Sequence, residues 1–297
     1  MKKLELLVFI FLIFSLISFE VKAENYKLFF GDLHGHTFWS DGKGSPAEYF
    51  TYCKDVAKLD FCAITDHDVN QTALSNITIE ADNFNSLNFV AFAGTEWSSP
   101  RYGHKACYNI STVCRAWSAN CDTPKELYES VKKDGGLCHA AHPAANWTGQ
   151  NATDWDVVKD EVEVAGEIYA NETKMIEAWS NYKLKLGVVG VSDTHDGRPG
   201  SSGVTGCYAK ELTRKGILEA LKARRCFATS SGANRTHFPM NLSFKINGHW
   251  MGEEISLNYG SKLNFEIIVN ATYNITSIRI KKNGETIATK IDCNSKN

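Results

Sequence analysis

Gly31–Asp32–Leu33–His34–Gly35–His36–Thr37, the stretch GDLHGHT, decides how this chain is read. It follows the short apolar run Lys27–Phe30, so its two imidazoles leave a strand end two residues apart and on one side. That spacing is a good bite for one cation or for two adjacent ones. The same juxtaposition recurs down the chain. Phe61–Ile64 runs into Thr65–Asp66–His67–Asp68, and Phe89–Ala93 into Gly94–Thr95–Glu96–Trp97, with Gly103–His104 shortly after. Gly136–Ala141 carries His139 and leads to His142–Pro143. Met175–Trp179 ends in Glu177–Ala178–Trp179–Ser180–Asn181, and Leu186–Val191 leads to Ser192–Asp193–Thr194–His195–Asp196–Gly197. Seven of the nine histidines fall in these segments; only His237 and His249 do not.

The apolar runs are mostly continuous rather than alternating, as in strands buried on both faces. Helix signals separate them. Ser45–Pro46–Ala47–Glu48 and Thr123–Pro124–Lys125–Glu126 each combine a capping hydroxyl, Pro at the first helical position and Glu three residues on. A third amphipathic helix spans about Thr213 to Arg224. Strands alternating with helices imply a parallel sheet, open or closed into a barrel. Polar residues gathered at the carboxyl ends of the strands favour a barrel-like enzyme site. After about Arg235 the pattern changes to period two, and Lys282–Asn283–Gly284–Glu285 reads as a hairpin turn. Residues 236–297 are therefore expected to form a small antiparallel β appendage.

The 297 residues, 43% hydrophobic and 22% charged, suit a folded chain of one large domain with an appendage. A formal net charge of −2 excludes an extended nucleic-acid surface. Residues 1–23 have the layout of a cleavable signal peptide: Lys2 and Lys3, an apolar run from Leu6 to Phe19, then Val21–Lys22–Ala23. The run is short for a membrane span, so none is expected in the mature chain. Ten Asn-x-Ser/Thr acceptor sites, against about three expected by chance, and nine cysteines agree with a secreted glycoprotein. Cys114 and Cys121 could close a surface loop, but the pairing stays open, and an odd count leaves one thiol over.

Together the segments resemble the polymerase and histidinol phosphatase (PHP) superfamily of metallohydrolases, and within it the branch that includes the CehA/McbA-type hydrolases. The resemblance covers about Gly31 to Thr229. It rests on Asp32-x-His34-x-His36-Thr37, Ser40–Asp41–Gly42, Thr65–Asp66–His67–Asp68, Gly94–Thr95–Glu96, His142–Pro143 and Ser192–Asp193–Thr194–His195. Glu177–Asn181 and Ala223–Thr229 are similar to later segments of that branch. The resemblance implies a distorted (β/α)7 TIM-like barrel over residues 24–235. It implies two or three divalent ions (Zn, Mn or Fe) held by His34, His36, Asp41, His67, Glu96, His104, His142, Asp193 and His195. Glu96, bridging two ions, would form the catalytic set with Asp193 and His195, and a hydroxide shared by the ions would be the nucleophile. Many relatives carry His where Asp41 stands, so a third ion depends on this carboxylate.

Asp32 and Asp66 are expected to orient the imidazoles, Asp68 to do the same or to serve a turn, and His139 to be a core or supporting histidine. Arg198, on a Gly-rich loop, could clamp an anionic substrate, with Lys105 as a second substrate contact. Three functions fit: a phosphoesterase on a small phosphate ester or nucleotide, a carbamate, amide or ester hydrolase using the same centre, and a secreted binder without turnover. Arg101, Lys105 and Arg198 tilt the choice toward a phosphorylated small molecule.

Overall fold

The computed structural model describes residues 25–145, 152–159, 161–168, 172–230, 240–271 and 274–293. The expected signal peptide and the expected boundary at 235/236 lie outside the described residues. The strands are β1 (Lys27–Asp32), β2 (Phe61–Ile64), β3 (Val90–Ser99), β4 (Gly103–Tyr108), β5 (Leu137–Ala140), β6 (Glu163–Glu167), β7 (Gly187–Val189), β8 (Gly203–Ala209) and β9 (Cys226–Ser230). Among the described residues five α-helices accompany them: α1 (Pro46–Thr51), α2 (Gln71–Phe84), α3 (Pro124–Lys133), α4 (Thr173–Ser180) and α5 (Arg214–Lys222). Both expected capping boxes are present. Ser45 and Thr123 each accept from the backbone N–H of the Glu three residues on, and Glu48 and Glu126 reach back.

The nine strands form one sheet in the order β7-β6-β5-β4-β3-β2-β1-β8-β9. It curls until its ends nearly meet, where Thr205 Oγ1 on β8 donates to Gly190 O just after β7 (2.8 Å). The barrel-like α/β expectation holds, but the sheet is not all parallel. β1–β2, β2–β3, β5–β6 and β6–β7 are parallel, whereas β3–β4, β4–β5, β1–β8 and β8–β9 are antiparallel. The expected strand at Met175–Trp179 is also corrected: it lies in α4. Met175 and Ala178, three apart, are its buried stripe, which is helical spacing. Four strands, β4, β6, β8 and β9, fall outside the apolar runs.

Side chains alternate across the sheet. On β2, Phe61 and Ala63 face a cluster with Phe92, Val189 and Cys207, while Cys62 and Ile64 face one with Phe50, Leu74 and Ile77 from α1 and α2. Ile217, Ala220 and Leu221 of α5 join the first cluster. Fully burying a side chain such as Phe61 contributes about 1.5–3 kcal/mol, so both faces of the sheet must be covered. Disulfides join Cys53 to Cys62 and Cys114 to Cys121. The C-terminal part holds β10 (Met240–Ile246), β11 (His249–Trp250) and β12 (Phe265–Ala271) in one antiparallel sheet. β13 (Ile275–Lys282) and β14 (Glu285–Cys293) form the expected hairpin. No helix among the described residues is long and apolar enough to cross a membrane.

Candidate metal centre

Beyond the strand ends the backbone keeps its ladder for a few residues, and this aims the polar side chains. After β1, His36 N–H donates to Thr194 O (2.9 Å) and Asp193 N–H donates to His34 O (3.0 Å). Gly35 and Thr194 form a parallel bridge, as do His67 and Glu96. The loop after His36 folds back so tightly that a Cβ on Gly42 would lie 2.4 Å from the His36 carbonyl, and only glycine fits there. Asp66 holds that loop: its carboxylate accepts from Thr37 N–H (2.7 Å), Thr37 Oγ1 (2.6 Å), Ser40 N–H (3.1 Å) and Ser40 Oγ (2.6 Å). His142 (φ 28°) and Asp193 (φ 49°) lie in the left-handed region, the kind of strain that packed sites hold in place.

Glu96, fully buried on β3, is the centre of the cluster. Its Oε1 lies 2.9 Å from His104 Nδ1 and 3.0 Å from His142 Nε2. Its Oε2 lies 2.9 Å from His67 Nδ1, 3.3 Å from His34 Nε2 and 3.6 Å from His36 Nε2. Asp193 Oδ1 lies 3.1 Å from His36 Nε2 and 3.3 Å from His34 Nε2. On the open side, Asp41 Oδ1 lies 3.3 Å from His195 Nε2, 3.8 Å from His67 Nε2 and 4.0 Å from His36 Nδ1. The nine side chains singled out in the sequence are thus brought into one cluster. His36, Asp41, His67 and His195 offer four ligating atoms within 4.8 Å of one another; His34, His36 and Glu96 form a second such group, and His67, Glu96 and His104 a third.

The electrostatics keep the carboxylates charged. Burial alone would raise Glu96, but charge on His34 and hydrogen bonds from His104 and His142 hold it well below the usual carboxylate range. Burial likewise opposes ionisation of Asp193, and His34 and His36 outweigh it. Burial disfavours charge on His34, yet Asp193, Glu96 and Glu167 raise its pKa well above the ordinary value; burial lowers His36. His34 Nε2 and Glu96 Oε2 are both buried with no hydrogen-bond partner. Two orphaned donor atoms of opposite kind, aimed at one point and ringed by imidazoles and carboxylates, fit a divalent cation.

Some expected residues stand elsewhere. Lys105, proposed as a substrate contact, is fully buried on β4 with its Nζ 2.8 Å from Glu163 Oε2 on β6, so it presents no ammonium to a ligand. Glu177, expected at the fifth strand end, lies on α4 beside Lys174. Arg198 is half-exposed and paired with Asp196. Asp68 serves a turn: its φ is positive and it accepts from Ala116 N–H (2.8 Å). Asp32 accepts from the N–H groups of His34 (3.2 Å), Ser192 (3.1 Å) and Gly200 (2.7 Å), and burial pushes it up to about 6.

The residue that sequence reasoning missed is Glu167, fully buried at the end of β6. Its Oε1 lies 2.6 Å from His34 Nδ1 and 2.9 Å from His139 Nε2, and its Oε2 accepts from His142 N–H. The signal was present in Val162–Glu163–Val164–Ala165–Gly166–Glu167, a short run ending in an acid like the others. Glu163 disguised it.

No family model matches the chain. An uncharacterized protein of Chlamydia muridarum (strain MoPn / Nigg) is 24% identical across 88% of this chain. The chain spans about half (48%) of that relative's length. A solved structure superposes with a TM-score of 0.57 at 20% sequence identity, over 86% of this chain and 80% of the other. It is that of a two-domain protein containing a predicted PHP-like metal-dependent phosphoesterase, from Bacteroides vulgatus ATCC 8482. The fold of this chain is the fold of that protein.

Proposed function

We propose that this chain is an exported metal-dependent hydrolase of the PHP type, a phosphoesterase acting on a small phosphorylated molecule. The observation that carries the proposal is the position of Glu96, whose two oxygens face five imidazoles on one rim of the sheet. The fold shared with the Bacteroides protein supports it. Two disulfides, the N-terminal apolar segment and ten glycosylation acceptors support export.

His34, His36, Glu96 and Asp193 would hold one ion, with Glu96, His104, His142 and His67 around a second and Asp41, His67 and His195 around a third. Divalent ions held there supply Lewis acidity, drawing electron density from a phosphoryl oxygen and easing ionisation of water. The chain's own residues do the rest. Glu96 remains ionised and holds the imidazoles in one orientation, and Glu167 fixes His34 from behind. Asp41 and His195, 59% and 40% exposed, form the edge that meets substrate. Arg198, beside that edge on the 196–200 loop, is the side chain proposed to meet the anionic group once its contact with Asp196 opens.

The test is hydrolysis of p-nitrophenyl phosphate, a bis-phosphodiester and a carbamate ester by the purified chain, with Mn²⁺ or Zn²⁺ added. Turnover of a phosphate ester, abolished by His34→Ala with His195→Ala, is the expected result. Turnover of the carbamate alone would move the same centre to carbonyl chemistry. Full activity in the double variant would overturn the proposal.

A further inference from the structure

Four cysteines outside the two disulfides are buried: Cys107 and Cys138 in one core cluster, Cys207 and Cys226 in the other. Their placement is paired. Cys107 on β4 is the direct register partner of Cys138 on β5, and Cys207 on β8 is the direct partner of Cys226 on β9. Both strand pairs are antiparallel, where directly opposed residues alternate between hydrogen-bonded and non-hydrogen-bonded positions. Ala141 N–H donates to His104 O (3.1 Å), which makes 104/141 a hydrogen-bonded pair. Counting three residues inward, Cys107 and Cys138 occupy a non-hydrogen-bonded pair. Tyr208 N–H donates to Arg225 O (2.8 Å), so the adjacent pair, Cys207 with Cys226, is non-hydrogen-bonded too.

At such positions the Cα atoms approach to about 4.5 Å, inside the range of about 4.4–6.8 Å that a disulfide spans. From these two cross-strand pairs we infer that the exported protein carries two further disulfides, Cys107–Cys138 and Cys207–Cys226. With Cys53–Cys62 and Cys114–Cys121 they would use eight of the nine cysteines and leave Cys293 as the odd one. A metal ion shared by the thiols is not indicated: among the described residues, no cluster of three or more ligating atoms contains a cysteine.

Each bond forms when two thiols lose two protons and two electrons to a disulfide oxidant. That oxidant is oxidised glutathione or an oxidised thiol–disulfide oxidoreductase, and it departs as two thiols. Timing follows from burial. Burial and the neighbouring Cys107 thiol push the Cys138 thiol well above its ordinary range, and burial pushes Cys226 up to about 12. A folded, reduced chain would therefore present almost no thiolate, and the bonds must close while the strands are still pairing. Once made, Cys107–Cys138 would tie the strand carrying His104 to the strand that leads to His142.

The full chain is expressed through a eukaryotic secretory route, unfolded in guanidinium without reductant, titrated for thiols, alkylated and mapped by mass spectrometry. The unfolding step is essential because buried thiols would escape titration in the native protein. The expected result is one thiol per chain, with peptides linked Cys107 to Cys138 and Cys207 to Cys226. Cys107→Ser should raise the count from one to two by releasing Cys138. Three or more thiols, or links joining these four cysteines in any other pattern, would overturn the inference.

Discussion

Glu167 Oε1 lies 2.6 Å from His34 Nδ1, with both side chains fully buried. The contact sets the ring so that Nε2 faces Glu96 and Asp193, each 3.3 Å away. Carboxylates behind a ligating imidazole fix its tautomer and raise its basicity. Glu167→Gln keeps the shape and removes the charge. Affinity for Mn²⁺ or Zn²⁺, measured by calorimetry, is expected to weaken by about 10- to 100-fold while the thermal midpoint changes little. An unchanged affinity would reduce Glu167 to a structural role.

Lys105 and Glu163 make a buried ion pair across β5, and Tyr128 Oη donates to Glu163 Oε2 as well (2.5 Å). Lys105→Met leaves a carboxylate uncompensated in the core, which costs about 3–5 kcal/mol. Chemical denaturation should show that loss, and Lys105→Met combined with Glu163→Leu should recover most of it. A raised KM at unchanged stability would instead return Lys105 to the substrate.

Asp66 makes no hydrogen bond to a proposed ion ligand, yet its four accepted hydrogen bonds fold the segment that carries Asp41. Asp66→Asn turns one acceptor oxygen into a donor facing donors. Loss of the ion at Asp41, His67 and His195 is expected, with the ion beside Glu96 and Asp193 retained. Metal content should therefore fall by one ion per chain rather than to zero; a full complement would contradict the role given to this loop.

Asp60 is mostly buried, and burial raises its carboxyl above the ordinary value of 3.8 despite the hydrogen bond from Phe30 N–H (2.7 Å). A carboxyl with a raised folded pKa binds its proton more tightly when folded, so its contribution to stability is lost as pH rises. Asp60→Asn should therefore gain stability relative to the parent as pH climbs from 3.8 through the raised value, then level off. Denaturation midpoints at a series of pH values test this; a difference independent of pH would contradict it.

The cluster was legible because continuous apolar runs ended in His, Asp or Glu, and that arrangement survives chain folding. What stayed hidden has a common cause. Lys105 breaks the apolar run of β4 and Glu163 that of β6, and hydropathy has no means of seeing that the two charges cancel where α3 covers the sheet. With β6 concealed, Met175–Trp179 was the nearest apolar stretch to stand in for it, although burial of Met175 and Ala178 marks a helix. Glu167 was lost with its strand. β8 escaped because Gly203 and Gly206 dilute it; a Cβ on Gly206 would lie 2.2 Å from the Phe227 ring. The antiparallel pairings depend on β4 and β8, so they were hidden too.

The most direct measurement is the metal content of the purified chain by mass spectrometry, taken beside phosphate-ester hydrolysis before and after chelation. Two or three Zn, Mn or Fe ions per chain are expected, with activity lost on chelation and restored by adding the ion back. Glu96→Gln, which strikes the carboxylate shared by five imidazoles, should lower both ion content and turnover. A chain that binds no divalent ion in stoichiometric amount, or that hydrolyses phosphate esters equally well after chelation, would contradict the metal centre outright.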